Sequence, residues 1–252
     1  MSLLTKHLAD QLKTGDQIYI QGGSLISQGI EAATNSPYSH VVMIIRYERG
    51  GVFFTNKDKE QEMLGGKSNK NNNLFVFQAS GPVGNCVSVY DQRPGVEGVQ
   101  LNPLLGEDGY LQNYGAGKMW VRKLAVELTV EEESAVYKYV ESSCLRKIPY
   151  QQDPERLFGA CWFSVTKLSW FSPTRSLKLT QESYFCSELI LETLKQVKSL
   201  KDSLGKVRSD QYAPAECESL LLKLNVISST LEEIYNSDKK KPSILSRYLW
   251  YY

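Results

Sequence analysis

Histidine is scarce in this chain. Only His7 and His40 occur among 252 residues. The five cysteines, Cys86, Cys144, Cys161, Cys186 and Cys217, are widely spaced and contain no CxxC pair. These shortages nearly exclude a zinc site of histidines and paired cysteines, and no metal or organic cofactor is expected. Neither sign of charge is in excess. With 29 basic and 28 acidic residues the formal net charge is +1, so charge gives no reason to expect a nucleic-acid partner. It also provides no broad basic surface for anionic membranes, although local peripheral contact is left open. No run approaches the roughly 18 apolar residues of a membrane span. Residues 1–17 lack the apolar core and small-residue cleavage site of a secretory signal. An odd cysteine count without such a signal leads us to expect a cytoplasmic protein with free thiols.

What is present reads as ordinary globular composition, 42% hydrophobic and 23% charged. Leu3, Leu4, His7, Leu8 and Leu12 have helical spacing. Gly15-Asp16 is a turn before the alternating strand 17–21. Ser24 can cap a short helix running to about Thr34, and Asn35-Ser36-Pro37 is a turn. The β-branched run 40–45 reads as a buried strand. Residues 56–73 are polar and repetitive, as in a mobile surface loop. Strands are expected at 74–78 and 120–124, with another at 87–90, and 94–117 is Gly/Pro-rich connection. Thr129 can cap a helix whose first turn holds Glu131, Glu132 and Glu133. A second helix is expected around Phe158–Leu168. A third starts near Ser183, runs through Val197, and stops by Gly205. Strands early and helices late argue for α+β.

Three residues can carry chemistry. Cys186 sits where a helix begins, so the helix dipole should lower its pKa and free first-turn amides could hold an oxyanion. The plain alternative is a buried structural cysteine. His40 opens a strand, a stiff mount for a base, or else is a satisfied structural histidine. Gln78 ends the 74–78 strand, where a polar side chain breaks the pattern. In an antiparallel hairpin it could hydrogen-bond the His40 ring and fix its tautomer. Otherwise it is a solvent-facing strand end. A strand at Val52-Phe53-Phe54 would upset that hairpin and direct the search to Asp91.

The order His, Gln, Cys resembles the circularly permuted branch of the NlpC-type papain-like hydrolases, as in the bacterial YiiX-like proteins. Lecithin retinol acyltransferase is a more distant relative. The resemblance is carried by Gly15-Asp16, by Ser36-Pro37-Tyr38-Ser39-His40 and by Gln78-Ala79-Ser80-Gly81-Pro82-Val83. Further on it rests on Pro149-Tyr150, on Tyr184-Phe185-Cys186-Ser187-Glu188-Leu189 and on Ala213-Pro214. It implies Cys186 as nucleophile, His40 as base, and Gln78 where that branch usually has glutamate. The implied architecture is one α+β permuted papain-like domain over 1–252, core about 14–215. An N-terminal helix, the 56–73 loop and a C-terminal helical extension would surround a mostly antiparallel sheet packed against helices.

Other signals are weaker. Gly66-Lys67-Ser68 imitates the end of a phosphate loop, but Gln61 stands where its first glycine belongs. Trp162, Phe163, Trp170 and Phe171 concentrate large aromatics; Phe158, Cys161, Trp162, Val165 and Leu168 make one apolar face, Phe163 and Trp170 a second that could line an acyl groove or simply pack, and the aromatic tail 244–252 could dock on its own domain, a partner or a membrane. Three functions are therefore carried forward. One is an acyl hydrolase or acyltransferase working on an ester or amide, including lipid acyl groups, through a thioester. Another is a peptidase or amidase. The last is a lipid- or peptide-binding module that kept the fold without catalysis. The substrate would be a small molecule, lipid or peptide.

Overall fold

The computed structural model describes residues 10–47, 73–106, 109–114, 116–150 and 184–236. The expected N-terminal helix (apart from its last residues), the 56–73 loop (apart from residue 73), the 158–168 helix with its aromatics, Val52–Phe54, Cys161 and the aromatic tail lie outside them. The architecture is α+β. Six strands form one sheet: β1 (Gln17–Gly22), β2 (His40–Arg46), β3 (Leu74–Ser80), β4 (Gly98–Pro103), β5 (Ala116–Arg122) and β6 (Glu232–Asn236). Their order is β4-β3-β2-β1-β5-β6, and each neighbouring pair is antiparallel.

Side chains alternate across the pleat, so the sheet carries two different faces. Tyr19, Val41, Met43, Ile45, Phe75, Phe77, Val99 and Leu101 point to one of them. That face is covered by α3 (Val130–Leu145), α4 (Cys186–Leu194) and α6 (Pro214–Lys223), through Val136, Val140, Leu189, Ile190, Leu194 and Leu221. Ile18, Ile20, Val42, Ile44, Val76, Met119 and Val121 point the other way, against Val83, Leu104 and Tyr110. Tyr110 lies on the one-turn helix α2 (Tyr110–Asn113), which follows α1 (Leu25–Thr34) in the chain.

Several local expectations hold for the reasons given. The Ser24 side chain caps α1 by accepting from the Ser27 amide, and Asn35 ends it in the left-handed conformation. Thr129 and Glu132 form a reciprocal capping box at α3, and Glu132 also accepts from the Ser199 amide at 2.7 Å. Those backbone donors hold the Glu132 carboxyl below its usual range. Gly15 has φ +94°, and a Cβ there would meet Leu124 Cδ2 at 2.7 Å. Its neighbour Asp16 is buried and accepts from the amides of Lys13 and Leu124 and from Lys123 Nζ. The Gly-Asp turn thus ties the start of β1 to the end of β5.

Other expectations need correction. Val87–Tyr90 is no strand; Val87 makes an isolated bridge to Pro94. The Gly/Pro-rich stretch 94–117 contains β4, α2 and the start of β5. The helix placed near Ser183 begins at Cys186 and stops at Leu194. A 3₁₀ turn (Lys198–Leu200) and the short α5 (Lys201–Leu204) then carry the chain to Gly205. The extension is not wholly helical, because β6 completes the sheet. Its Glu232 and Glu233 alternate poorly, so tertiary pairing with β5, not pattern, makes it a strand.

Candidate functional site

The site forms where β2 begins. Ser39 fixes that point: its hydroxyl oxygen accepts from the Gly22 amide at 2.8 Å, and its own amide donates to the Ile20 carbonyl at 2.9 Å. A Cβ on Gly22 would stand 2.8 Å from the same hydroxyl, so the close approach of β1 to residue 39 depends on glycine. From there β2 pairs with β1 along its whole first half, Ile20 opposite His40 and Ile18 opposite Val42. Pairing with β3 starts only at Met43, opposite Phe77. The sheet is therefore unpaired between β2 and β3 over residues 40–42.

The side chains singled out in the sequence lie around that opening. His40 Nε2 lies 3.0 Å from Gln78 Oε1, and both residues are buried. The antiparallel arrangement of β2 and β3 expected from the sequence is present, so the rival arrangement with a strand between them is excluded, and Asp91 is engaged elsewhere, with Ser88 and Lys147. Gln78 is wholly inaccessible to solvent, which removes the reading of a solvent-facing strand end. Cys186 comes from the other direction. It is the first residue of α4, and the backbone amides of Val41, Ser187 and Cys186 lie near enough to its sulfur to favour the thiolate. Val41 is the immediate neighbour of His40, so the α4 thiol and the β2 imidazole are brought to the same short stretch of β2.

The start of α4 is held on several sides. Glu188 accepts from the Phe185 amide at 3.3 Å. Ser187 Oγ donates to the Tyr212 carbonyl at 2.5 Å, just before Ala213-Pro214 opens α6. Tyr184 donates its amide to the Pro149 carbonyl and pairs with Tyr150 in a parallel bridge. The motif segments 149–150, 184–189 and 213–214 are thus packed together around one helix end.

Burial dominates the electrostatics. It pushes the Cys186 thiol up to about 11, with the three amides opposing. The expectation that the helix start would depress this thiol is overturned. Cys186 is only 5% exposed, and loss of hydration penalises the thiolate more than the amides favour it. Burial also pushes His40 down to about 4, opposed by the Gln78 hydrogen bond. Near pH 7 the resting pair is a neutral thiol and a neutral imidazole.

That shift gives a stability prediction. The unfolded chain protonates this histidine near pH 6.5 and the folded one only near pH 4. Above pH 6.5 His40 contributes nothing to the pH dependence. As pH falls from 6.5 to 4, the unfolded state binds the extra proton and stability drops, by about 3 kcal/mol in all. Denaturant titrations at pH 7 and pH 4 should show this loss in the wild type and not in His40→Gln. Parallel pH profiles for the two proteins would refute the assignment.

Two residues of the site went unread in the sequence. The Tyr114 ring stacks on the His40 ring at 5.6 Å between centroids and 11° between planes, and packs against Tyr110 at 4.8 Å. A negative charge on Cys186 would raise the Tyr114 and Tyr150 hydroxyl pKa values further, so both phenols lie in the electrostatic range of the sulfur. Tyr114 lay inside the stretch read as connection, and its spacing of four from Tyr110 was the only available signal. Among the described residues, no three His, Cys, Asp or Glu side chains gather to hold a metal ion. A cavity of about 590 Å³ lined by Lys13, Asp16, Arg46, Leu124 and Glu133 lies at the other end of the strands. Arg46 ends β2 and His40 begins it, so that cavity is separate from this chemistry.

No protein-family model matches the chain, and no curated protein matches it. Among solved structures, the chain is similar to the crystal structure of the metalloprotein yiiX from Escherichia coli O157:H7, at 17% sequence identity and a TM-score of 0.45, over 90% of this chain and 98% of that one.

Proposed function

We propose that this protein is a cysteine-dependent acyl hydrolase or acyltransferase of circularly permuted papain-like type. Cys186 is the nucleophile, His40 the base and Gln78 the residue that orients it. The observation that carries the reading is the convergence at the head of β2. His40 is held at 3.0 Å by Gln78, and the backbone of its neighbour Val41 lies close enough to the Cys186 sulfur, at the first residue of α4, to favour the thiolate. The chain order, base strand first and nucleophile helix far downstream, agrees with a permuted arrangement.

In this mechanism His40 accepts the thiol proton as sulfur attacks the carbonyl carbon. The first turn of α4 precedes the first intrahelical bond, from the Leu189 amide to the Phe185 carbonyl, and its Cys186 and Ser187 amides, which lie toward the sulfur at rest, serve the oxyanion as it forms. Collapse expels an amine or alcohol, which takes the proton from the imidazolium and leaves a thioester. Water or another acceptor then loses its proton to His40 and releases the acyl group, regenerating the thiol. Starting from neutral groups, proton transfer accompanies attack instead of preceding it. The Tyr114 ring face is suited to the imidazolium that forms transiently.

A panel of activated acyl esters and acyl amides, with mass spectrometry of the quenched protein, tests this. An acyl mass on the peptide containing Cys186 is expected, and the better donor class separates a lipid-type acyl enzyme from an amidase. No adduct with any donor, alongside reversible binding of lipid or peptide, would favour the non-catalytic module. Iodoacetamide gives a second check. Modification of Cys186 should accelerate about tenfold per pH unit from pH 7 toward 10, because the thiolate fraction does. It should precede modification of Cys217, whose thiol burial pushes higher still, and of Cys144, which burial also pushes up and which has no proposed base beside it. A rate that is already flat near neutrality would mean a preformed thiolate–imidazolium pair and contradict the neutral resting state.

A further inference from the structure

The face of the sheet that bears His40 and Gln78 is largely apolar, yet on β3 and β4 it holds a buried polar strip. Gln78 pairs across the strands with Gln100, and Asn102 lies two residues further along the same face. Gln100 and Asn102 are as inaccessible as Gln78. Gln78 Nε2 donates to Asn102 Oδ1 at 2.9 Å. Asn102 Nδ2 donates to Gln100 Oε1 at 3.1 Å and to the Val87 carbonyl at 3.2 Å. Gln100 Nε2 donates to the Val96 carbonyl at 3.0 Å and to Ser80 Oγ at 3.1 Å.

We infer that Gln100 and Asn102 are positioning residues that, through Gln78, fix His40 in the tautomer with hydrogen on Nε2. The chain of amides ends on two backbone carbonyls, and a carbonyl can only accept. Val96 and Val87 therefore demand the amino ends of Gln100 and Asn102. With its amino group so placed, Asn102 presents an oxygen to Gln78, which must answer with its own amino group. Gln78 then presents its oxygen to His40. Reversing any one amide would set two acceptors, or two donors, face to face among fully buried side chains, at the cost of a buried unsatisfied pair. Facing an acceptor, Nε2 must carry hydrogen, so in the neutral ring Nδ1 keeps the lone pair. A neutral glutamine thus does part of what a glutamate would do. A carboxylate needs no orienting because both its oxygens accept, whereas an amide orients histidine only if something orients the amide. The relay supplies that. The tautomer stands on geometry alone; its use in catalysis rests on the function proposed above.

The experiment uses full-length protein labelled with ¹⁵N at histidine. Long-range ¹H–¹⁵N correlation reads the tautomer directly, and with two histidines in the chain the His7→Gln variant assigns the spectrum. Near pH 7 His40 should show the neutral Nε2–H pattern. Asn102→Leu removes the acceptor that orients Gln78, and the two ring-nitrogen resonances should move toward each other as the tautomers mix. Adding Gln78→Glu to Asn102→Leu should restore the Nε2–H pattern, a rescue that a merely structural role for Asn102 would not give. A wild-type ring protonated on Nδ1 overturns the inference even if Asn102→Leu fails to fold. So does a pattern unmoved by Asn102→Leu. None of these readings needs a substrate. An inert Cys186 would count against the hydrolase, while the His40 spectrum would still decide the relay.

Discussion

Replacing Cys186 with alanine should lower acyl turnover by on the order of 10⁴-fold or more while leaving the fold in place. The size of the loss follows from covalent catalysis: without sulfur there is no thioester, and only binding and the oxyanion donors remain. The fold should survive because the change is small. Alanine keeps the Cβ, is well tolerated in the first turn of a helix, and leaves intact the contacts of Ser187 with Tyr212 and of Glu188 with Phe185 that hold the start of α4. Circular dichroism and thermal unfolding should stay close to wild type. His40→Ala should bring a loss of the same order, and the double variant should be scarcely worse than either alone, since groups acting as one unit are not additive. Residual activity within tenfold of wild type in Cys186→Ala would remove this cysteine from the mechanism.

The largest stability effect should come from a place remote from the chemistry. Arg122, at the end of β5, donates from Nε to Glu218 Oε1 on α6 at 2.6 Å, and the two side chains are each 10% exposed. Arg122 Nη1 also donates to the carbonyls of Ser228 and Ser229, so one guanidinium joins the sheet, α6 and the segment leading into β6. Glu218→Ala would leave a buried cation without its counter-charge. Breaking a buried pair from one side costs about 3–5 kcal/mol, mostly the desolvation that is no longer compensated. Glu218→Gln, which keeps an acceptor and loses the charge, should cost roughly half as much. For a chain of this size the melting temperature should drop roughly 2–4 °C per kcal/mol. An alanine variant within 1 kcal/mol of wild type would show that solvent reaches the pair and screens it.

Local chemistry was largely legible in the sequence. Ser24, Asn35 and Thr129 act on their own neighbours, so caps and turns could be assigned from spacing. The β-branched run at His40–Ile45 and the alternation at Gln17–Gln21 declared strands for the same reason. Gln78 stood out because it broke an apolar pattern. The strip at Gln100 and Asn102 escaped because it obeyed one. Val99-Gln100-Leu101-Asn102 alternates as an edge strand with a wet face does, and the sequence offers no sign that residues 83–97 cover that face.

By itself, the sequence determined the α+β class, the helix caps, the strand that opens at His40 and the helix that begins at or near the thiol. These depend on interactions between residues a few positions apart. Tertiary structure alone decided that the start of β2 stays unpaired with β3, that the Val41 backbone comes near a sulfur 145 positions away (186 − 41), and that the Gly/Pro-rich stretch supplies a strand and the tyrosine stacked on His40. It also decided the ionisation of the pair. A helix start by itself favours a thiolate, but the hydration lost when α4 packs onto the sheet outweighs that local field, and burial can be known only once distant segments have been brought together.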